Sequence, residues 1–212
     1  MTYKVLAEQL NVRKTPGGLI IRTLKKDDRV RVAEIVGEWM RIDTGWISAK
    51  HCERVGSTHV LSTLTLKYAR LELGKGEVPR GSNWGKDVQG YLNSVGINTP
   101  APWCMAFVYW VVQKASAELG QPNPLQKTGH VMSQWNASKK LRVVGTPERG
   151  DIFIMDFGNG KGHTGFVAEI KGDRIMTIEG NSNGQGSREG VEVCGKPNGR
   201  PMRSILGYLR LS

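Results

Sequence analysis

The stretch Pro102-Trp103-Cys104-Met105-Ala106-Phe107-Val108-Tyr109-Trp110 sets a cysteine at the start of an apolar run of helical length. Backbone N–H groups at a helix N-terminus are unpaired and carry partial positive charge. That environment favours a thiolate, so Cys104 is a candidate nucleophile, and a nucleophile of this kind needs a base. Four histidines are available: His51, His59, His130 and His163. His163 follows a glycine-rich turn and opens Gly162-His163-Thr164-Gly165-Phe166-Val167, where a side chain at a strand edge can face a cleft. His130, after Thr128-Gly129 in a loop, is its competitor. The base needs an acceptor on its other ring nitrogen. Ile178-Glu179-Gly180-Asn181-Ser182-Asn183 ends a strand, and residues two apart on a strand share a face. Glu179 is thus placed to hold the imidazole by charge, and Asn181 to orient it or line the substrate site. The same segment also reads as an ordinary strand-ending turn. Each cysteine taken alone reads as a small buried hydrophobe.

These side chains need elements to position them. The apolar spacing from His59 to Leu73 predicts a helix capped by Ser57 or Thr58. A second helix is predicted over 86–95, ending at Gly96, and a third from Cys104 to about Leu119, ending at Gly120. After Pro147 the pattern turns to strands over 151–157, 164–170, 174–178 and 204–211. Helices followed by an antiparallel sheet define an α+β domain. Upstream, Arg29 to Ile35 and Glu38 to Ile42 alternate with period two, and Leu19 to Ile21 and Trp46 to Ser48 are further short apolar runs. Several short strands within 3–55 predict a small all-β barrel, giving two domains, 1–56 and 57–212.

The chain has 212 residues, 39% of them hydrophobic, with 27 glycines, enough for one large or two small cores. Its net charge of +11 is spread along the chain. There are 11 Lys and Arg against 7 Asp and Glu up to residue 56, and 19 against 12 beyond it. Such a field attracts anionic partners: nucleic acid, anionic lipid, teichoic acid or lipopolysaccharide. The three cysteines, Cys52, Cys104 and Cys194, form neither a disulfide framework nor a zinc spacing. Asn83 to Asp87 offers one carboxylate, too few for calcium, so no metal or cofactor is expected. No apolar run reaches the ~18 residues of a membrane span, and no signal peptide is visible at the start. The expectation is therefore synthesis in the cytoplasm without stable membrane insertion, as a monomer.

Three motifs in order carry a resemblance. They are Ala101-Pro102-Trp103-Cys104 entering an aromatic helix, Gly150-Asp151-Ile152 leading to Gly162-His163-Thr164-Gly165-Phe166-Val167, and Glu179-Gly180-Asn181 followed by Gly186-Ser187-Arg188-Glu189-Gly190 and Gly207-Tyr208-Leu209. Over roughly residues 60–212 the chain resembles a CHAP domain, the cysteine, histidine-dependent amidohydrolase/peptidase. The resemblance implies a papain-like α+β fold and hydrolysis of amide bonds in peptidoglycan. By motif, Cys104 is the nucleophile, His163 the base, Glu179 the orienting acid and Asn181 a supporting polar group. Residues 3–55 resemble a bacterial SH3-like domain through Leu10-Asn11-Val12-Arg13, Thr23-Leu24-Lys25-Lys26, Val30-Arg31-Val32, Trp39 and Gly45-Trp46-Ile47. That family commonly binds the cell wall. Trp39 and Trp46 are read either as stacked core residues or as a ligand groove. Trp103, Trp84 and Trp135 are read either as lining a substrate groove or as core.

The resulting expectation is a lytic peptidoglycan amidase or endopeptidase, acting at the bacterial wall and resembling a phage endolysin, with peptidoglycan and the anionic envelope as partners. A non-catalytic wall-binding protein with a degenerate hydrolase fold and a secreted amidase effector are the alternatives. An NlpC-type endopeptidase lacks support, because its Asp-Cys-Ser-Gly block is replaced by Trp103-Cys104-Met105-Ala106. Nucleic-acid binding rests on charge alone, with no reading motif, and is not expected.

Overall fold

The computed structural model describes residues 2–55, 60–183 and 190–211. The chain divides into two compact units, Met1–Thr58 and His59–Ser212.

In the first unit, alternating apolar residues produce short antiparallel strands: β1 (Thr2–Val5), β2 (Gln9–Arg13), β3 (Ile20–Lys25), β4 (Arg29–Val36), β5 (Trp39–Ile42), β6 (Gly45–Ser48) and β7 (Cys52–Val55). They form one sheet in the order β3-β2-β6-β5-β4-β1-β7. Its core is Val5, Leu10, Val12, Leu24, Val32, Met40, Ile42 and Ile47. Period two explains this set: on β5, Met40 and Ile42 point inward, which leaves Trp39 and Arg41 on the other face. Trp39 and Trp46 are both half-buried and lie outside that core. The stacked-core reading of these two residues is therefore corrected. Trp46 instead stands across from Arg41 on β5 and Arg13 on β2.

The second unit places four helices against a second antiparallel sheet. The helices are α1 (Val60–Leu71), α2 (Lys86–Ser94), α3 (Cys104–Glu118) and α4 (Val131–Ala137). The strands are β8 (Arg142–Val143), β9 (Ile152–Asp156), β10 (Gly162–Lys171), β11 (Arg174–Ser182), β12 (Glu192–Gly195), β13 (Arg200–Pro201) and β14 (Gly207–Leu209). The sheet order is β12-β11-β10-β9-β14-β8, with β13 also paired to β11. The helix cap expected at Ser57 or Thr58 lies outside the described residues.

Helix α3 is the hub of this unit. Ten of its fifteen residues are buried, as expected of a helix apolar all round, and it packs on α1, α2, β10 and β11. The strands are covered on both faces, so β9 reads as a continuous apolar run and not as an alternation. Ile152 and Ile154 join the core that includes α3, while Phe153 and Met155 join a second cluster with Val167, Ile175 and Tyr208. Helix α4 and strands β8, β12 and β13 were not anticipated. The strands are two to four residues long, too short to show a period.

Candidate active site

Cys104 is the first residue of α3. Trp103, at the N-cap position, makes no side-chain cap bond, and among the described residues no side chain meets the first backbone N–H groups, which leaves them available to a ligand. Cys104 is 6% exposed and lines a cleft of about 610 Å³ shared with His130, His163, Asn181 and Glu77.

Strands β9, β10 and β11 build the basic side of the site. His163 pairs across from Met155, and Gly165 across from Phe153. His163 and Gly165 therefore share one sheet face. A Cβ on Gly165 would come within 2.8 Å of Glu179 Cγ and 2.6 Å of the Ile178 carbonyl oxygen. The missing side chain lets the Glu179 carboxylate pass over β10 and reach His163. The contact is made between His163 Nε2 and Glu179 Oε2 at 2.9 Å, and both residues are fully buried. The other ring nitrogen, Nδ1, has no hydrogen-bond partner within the described residues. It is the atom left to handle a proton.

Glu179 is held from several sides. Arg200 makes a two-pronged ion pair, Nε to Oε1 at 2.5 Å and Nη2 to Oε2 at 2.6 Å. Thr177 Oγ1 donates to Oε1 at 2.6 Å and Ser182 Oγ to Oε2 at 2.9 Å. Lys196 Nζ lies 3.9 Å from Oε2. Burial pushes the Glu179 carboxyl up, but the Arg200 and His163 hydrogen bonds and charges outweigh it and hold the group far below the usual carboxylate range. Burial pushes the His163 imidazole down; the neighbouring Cys104 sulfur and the hydrogen-bonded Glu179 carboxylate outweigh this and raise it to about 9. The sulfur is thus close enough to the ring to act on its charge, although it is not seated in hydrogen-bonding geometry with Nδ1.

Glu179 and Asn181 do reach one site, but not along a regular strand. The β11–β12 register shifts between Glu179 and Ser182, a bulge that re-aims side chains. Asn181 takes a left-handed backbone, φ 53°, is buried and lines the cleft. Gly180 faces α3, where a Cβ would meet Phe107 and Trp103 at 2.7 Å.

His130 stands on the rim of the same cleft. Its Nδ1 accepts from the Ser133 backbone N–H at 3.2 Å, which caps α4, and no carboxylate orients it among the described residues. His51 is an exposed residue of the first unit. His59 and the 186–189 part of the third motif lie outside the described residues. Cys52 and Cys194 are free, half-buried thiols, and burial raises Cys52 to about 11.

The aromatic groove is not where the sequence put it. Trp103 is 0% exposed, stacks on Tyr91 with ring centroids 5.5 Å apart, and donates its Nε1–H to Glu77 Oε1 at 2.9 Å. Trp135 is buried, with the Arg142 guanidinium 4.3 Å above its ring. Trp84 packs half-buried against the main core. Buried and stacked in this way the rings contribute to the core, and none of the three lines the cleft. Arg200 and Glu77 were missed. Nothing in the local pattern of either marks it; only a buried carboxylate's need for a cation points to Arg200. Among the described residues no group of three or more His, Cys, Asp or Glu side chains is arranged to hold a metal ion.

A cleft-facing thiol on an open helix end, beside an imidazole anchored by a buried carboxylate, is chemically competent for acyl transfer through sulfur. Residues 94–181 match the family model of the CHAP domain, a span that contains Cys104, His163, Glu179 and Asn181. A comparison with curated proteins found no match. Among solved structures, the chain is similar to NlpC2 from Trichomonas vaginalis, at 14% identity and TM-score 0.41, over 100% of this chain and 73% of that one. It is also similar to Ly7917, at 18% identity and TM-score 0.42, over 71% of this chain and 62% of that one. An NlpC/P60 family protein from Bacillus cereus matches at 14% identity and TM-score 0.38, over 99% of this chain and 63% of that one.

Proposed function

We propose that this chain hydrolyses an amide bond of peptidoglycan through a Cys104–His163–Glu179 thiolate mechanism, as an amidase or endopeptidase of lytic type. The observation that carries the chemistry is the Nε2–Oε2 contact between His163 and Glu179, which leaves the buried Nδ1 without a hydrogen-bond partner among the described residues, on a residue that lines the same cleft as Cys104. The CHAP match over residues 94–181 supports peptidoglycan as the substrate.

Cys104 Sγ attacks the carbonyl carbon, and the bond that forms is a thioester in the making. The oxygen gathers negative charge and is met by the backbone N–H of Cys104 at the open end of α3; one such donor contributes about 3 kcal/mol in other hydrolases. His163 Nδ1–H protonates the nitrogen as the carbon–nitrogen bond breaks, and the amine leaves. Water then attacks the thioester, Nδ1 accepts its proton, and the thiolate is released. Glu179 holds the ring and stabilises its charged form throughout, and Asn181 lines the site as a polar support.

In this reading the second unit is a papain-like catalytic domain, and the first is an SH3-like domain that tethers the chain to the wall. The positive charge draws the monomer to the anionic envelope. The protein is made in the cytoplasm and acts outside it, as an endolysin does. Purified chain is expected to release soluble fragments from cell-wall sacculi. Cys104→Ala is expected to release none while keeping the circular dichroism spectrum of the parent. Equal activity in the two proteins would end the mechanism.

A further inference from the structure

Glu77 is a buried carboxylate that the mechanism above does not use. It is 5% exposed and lines the same cleft as Cys104. Its backbone N–H donates to the Val191 carbonyl oxygen at 2.8 Å, which ties the segment to the chain entering β12. Its Oε1 accepts from Trp103 Nε1, so the carboxylate is anchored to the residue that precedes the nucleophile. Its Oε2 is buried and has no hydrogen-bond partner within the described residues.

Among the described residues no cation is paired with it. Lys75 is paired with Glu72 at 2.9 Å, and Arg80 lies 4.0 Å from Glu192. Lys161 lines the cleft but forms no ion pair with Glu77. A buried carboxylate with one neutral donor and one bare oxygen is unfavourable until a cation meets it. A neutral N–H would satisfy the oxygen's hydrogen bond but not the charge. A protonated amine supplies both, in a short charge-assisted bond.

We propose that Glu77 forms a subsite for a positively charged amino group on the substrate, close to the scissile amide. This rests on the hydrolase reading and deepens it, because it requires the peptide recognised there to carry a free amine. The subsite selects stem peptides with a free side-chain or terminal amine over the same peptides acetylated on that nitrogen.

Binding tests this independently of turnover. Full-length Cys104→Ala is titrated calorimetrically with a soluble stem peptide bearing one free amine, and with its N-acetylated form. The free amine is expected to bind at least about tenfold more tightly, the scale of one charge-assisted hydrogen bond. Adding Glu77→Gln, which keeps an oxygen for Trp103 Nε1, is expected to abolish the preference by weakening the free-amine peptide to the level of the acetylated one, in a protein that keeps the circular dichroism spectrum of the parent. The proposal is overturned by equal binding of the two peptides, by a preference that survives Glu77→Gln, or by binding of neither. Release of fragments from sacculi by the unaltered chain, measured in parallel, tests the hydrolase reading separately.

Discussion

In the proposed mechanism, the charge balance at His163 sets the reactivity of the site. Its imidazole, raised to about 9, stays protonated through neutral pH and can donate to a leaving amine. Above that value the donor is lost. We expect kcat/KM on a soluble peptidoglycan fragment to fall on the alkaline side near pH 9. Glu179→Gln removes a charge that raises the imidazole pKa, so the alkaline limb is expected to move to lower pH; an unmoved limb would count against the assignment. Arg200 carries the other half of the balance. Its guanidinium grips both oxygens of a carboxylate that is 0% exposed and lies over the Phe153 ring at 5.7 Å. Arg200→Ala leaves Glu179 buried without its main counter-charge, a loss of about 3–5 kcal/mol when a buried pair is broken on one side. Denaturant melts should show a drop of this size.

At the scale of elements, two glycines let strands and helix approach closely enough to assemble the triad. Gly165 clears a path for the Glu179 side chain, and Gly180 lets β11 press against Phe107 and Trp103 near the start of α3. Gly165→Ala inserts a methyl group 2.8 Å from Glu179 Cγ. Overpacking of this kind costs about 1–3 kcal/mol. Here it also forces the carboxylate off His163. Activity on sacculi is expected to fall by more than the stability loss explains, with the protein still folded at the assay temperature. The main helices and strands of the second unit were legible in the sequence, because α3 is long and apolar and β9 to β11 are bounded by glycine turns. The bulge after Glu179 was not. A period-two reading brings Glu179 and Asn181 to one face, whereas the structure does so by shifting register and turning Asn181 left-handed. Helix α4 leaves no clear mark in the sequence, because seven residues give fewer than two full turns of pattern and its cap is a histidine.

Taken whole, the molecule is two units with separate cores, each carrying net positive charge. A field spread in this way acts at long range and is screened by salt. Binding of the Cys104→Ala protein to sacculi is expected to weaken several-fold as salt rises from about 0.05 M to about 0.5 M, where the Debye length shrinks below the spacing of surface charges. Binding insensitive to salt would assign the attraction to contacts other than charge.

Residue types and local spacing establish which atoms are available: one cysteine on a helix start, a histidine opening a strand, and a carboxylate two residues before an asparagine. Those are local facts, written in residue type and in spacing along one element. Which histidine is oriented, where the candidate tryptophans are buried and which arginine neutralises Glu179 follow from the tertiary fold. They depend on what lies across a sheet or under a helix, between residues far apart in sequence, such as the 26 positions that separate Trp103 from Glu77. No period within a single element encodes such a distance, and burial is a property of the neighbours a side chain acquires only when the chain has folded.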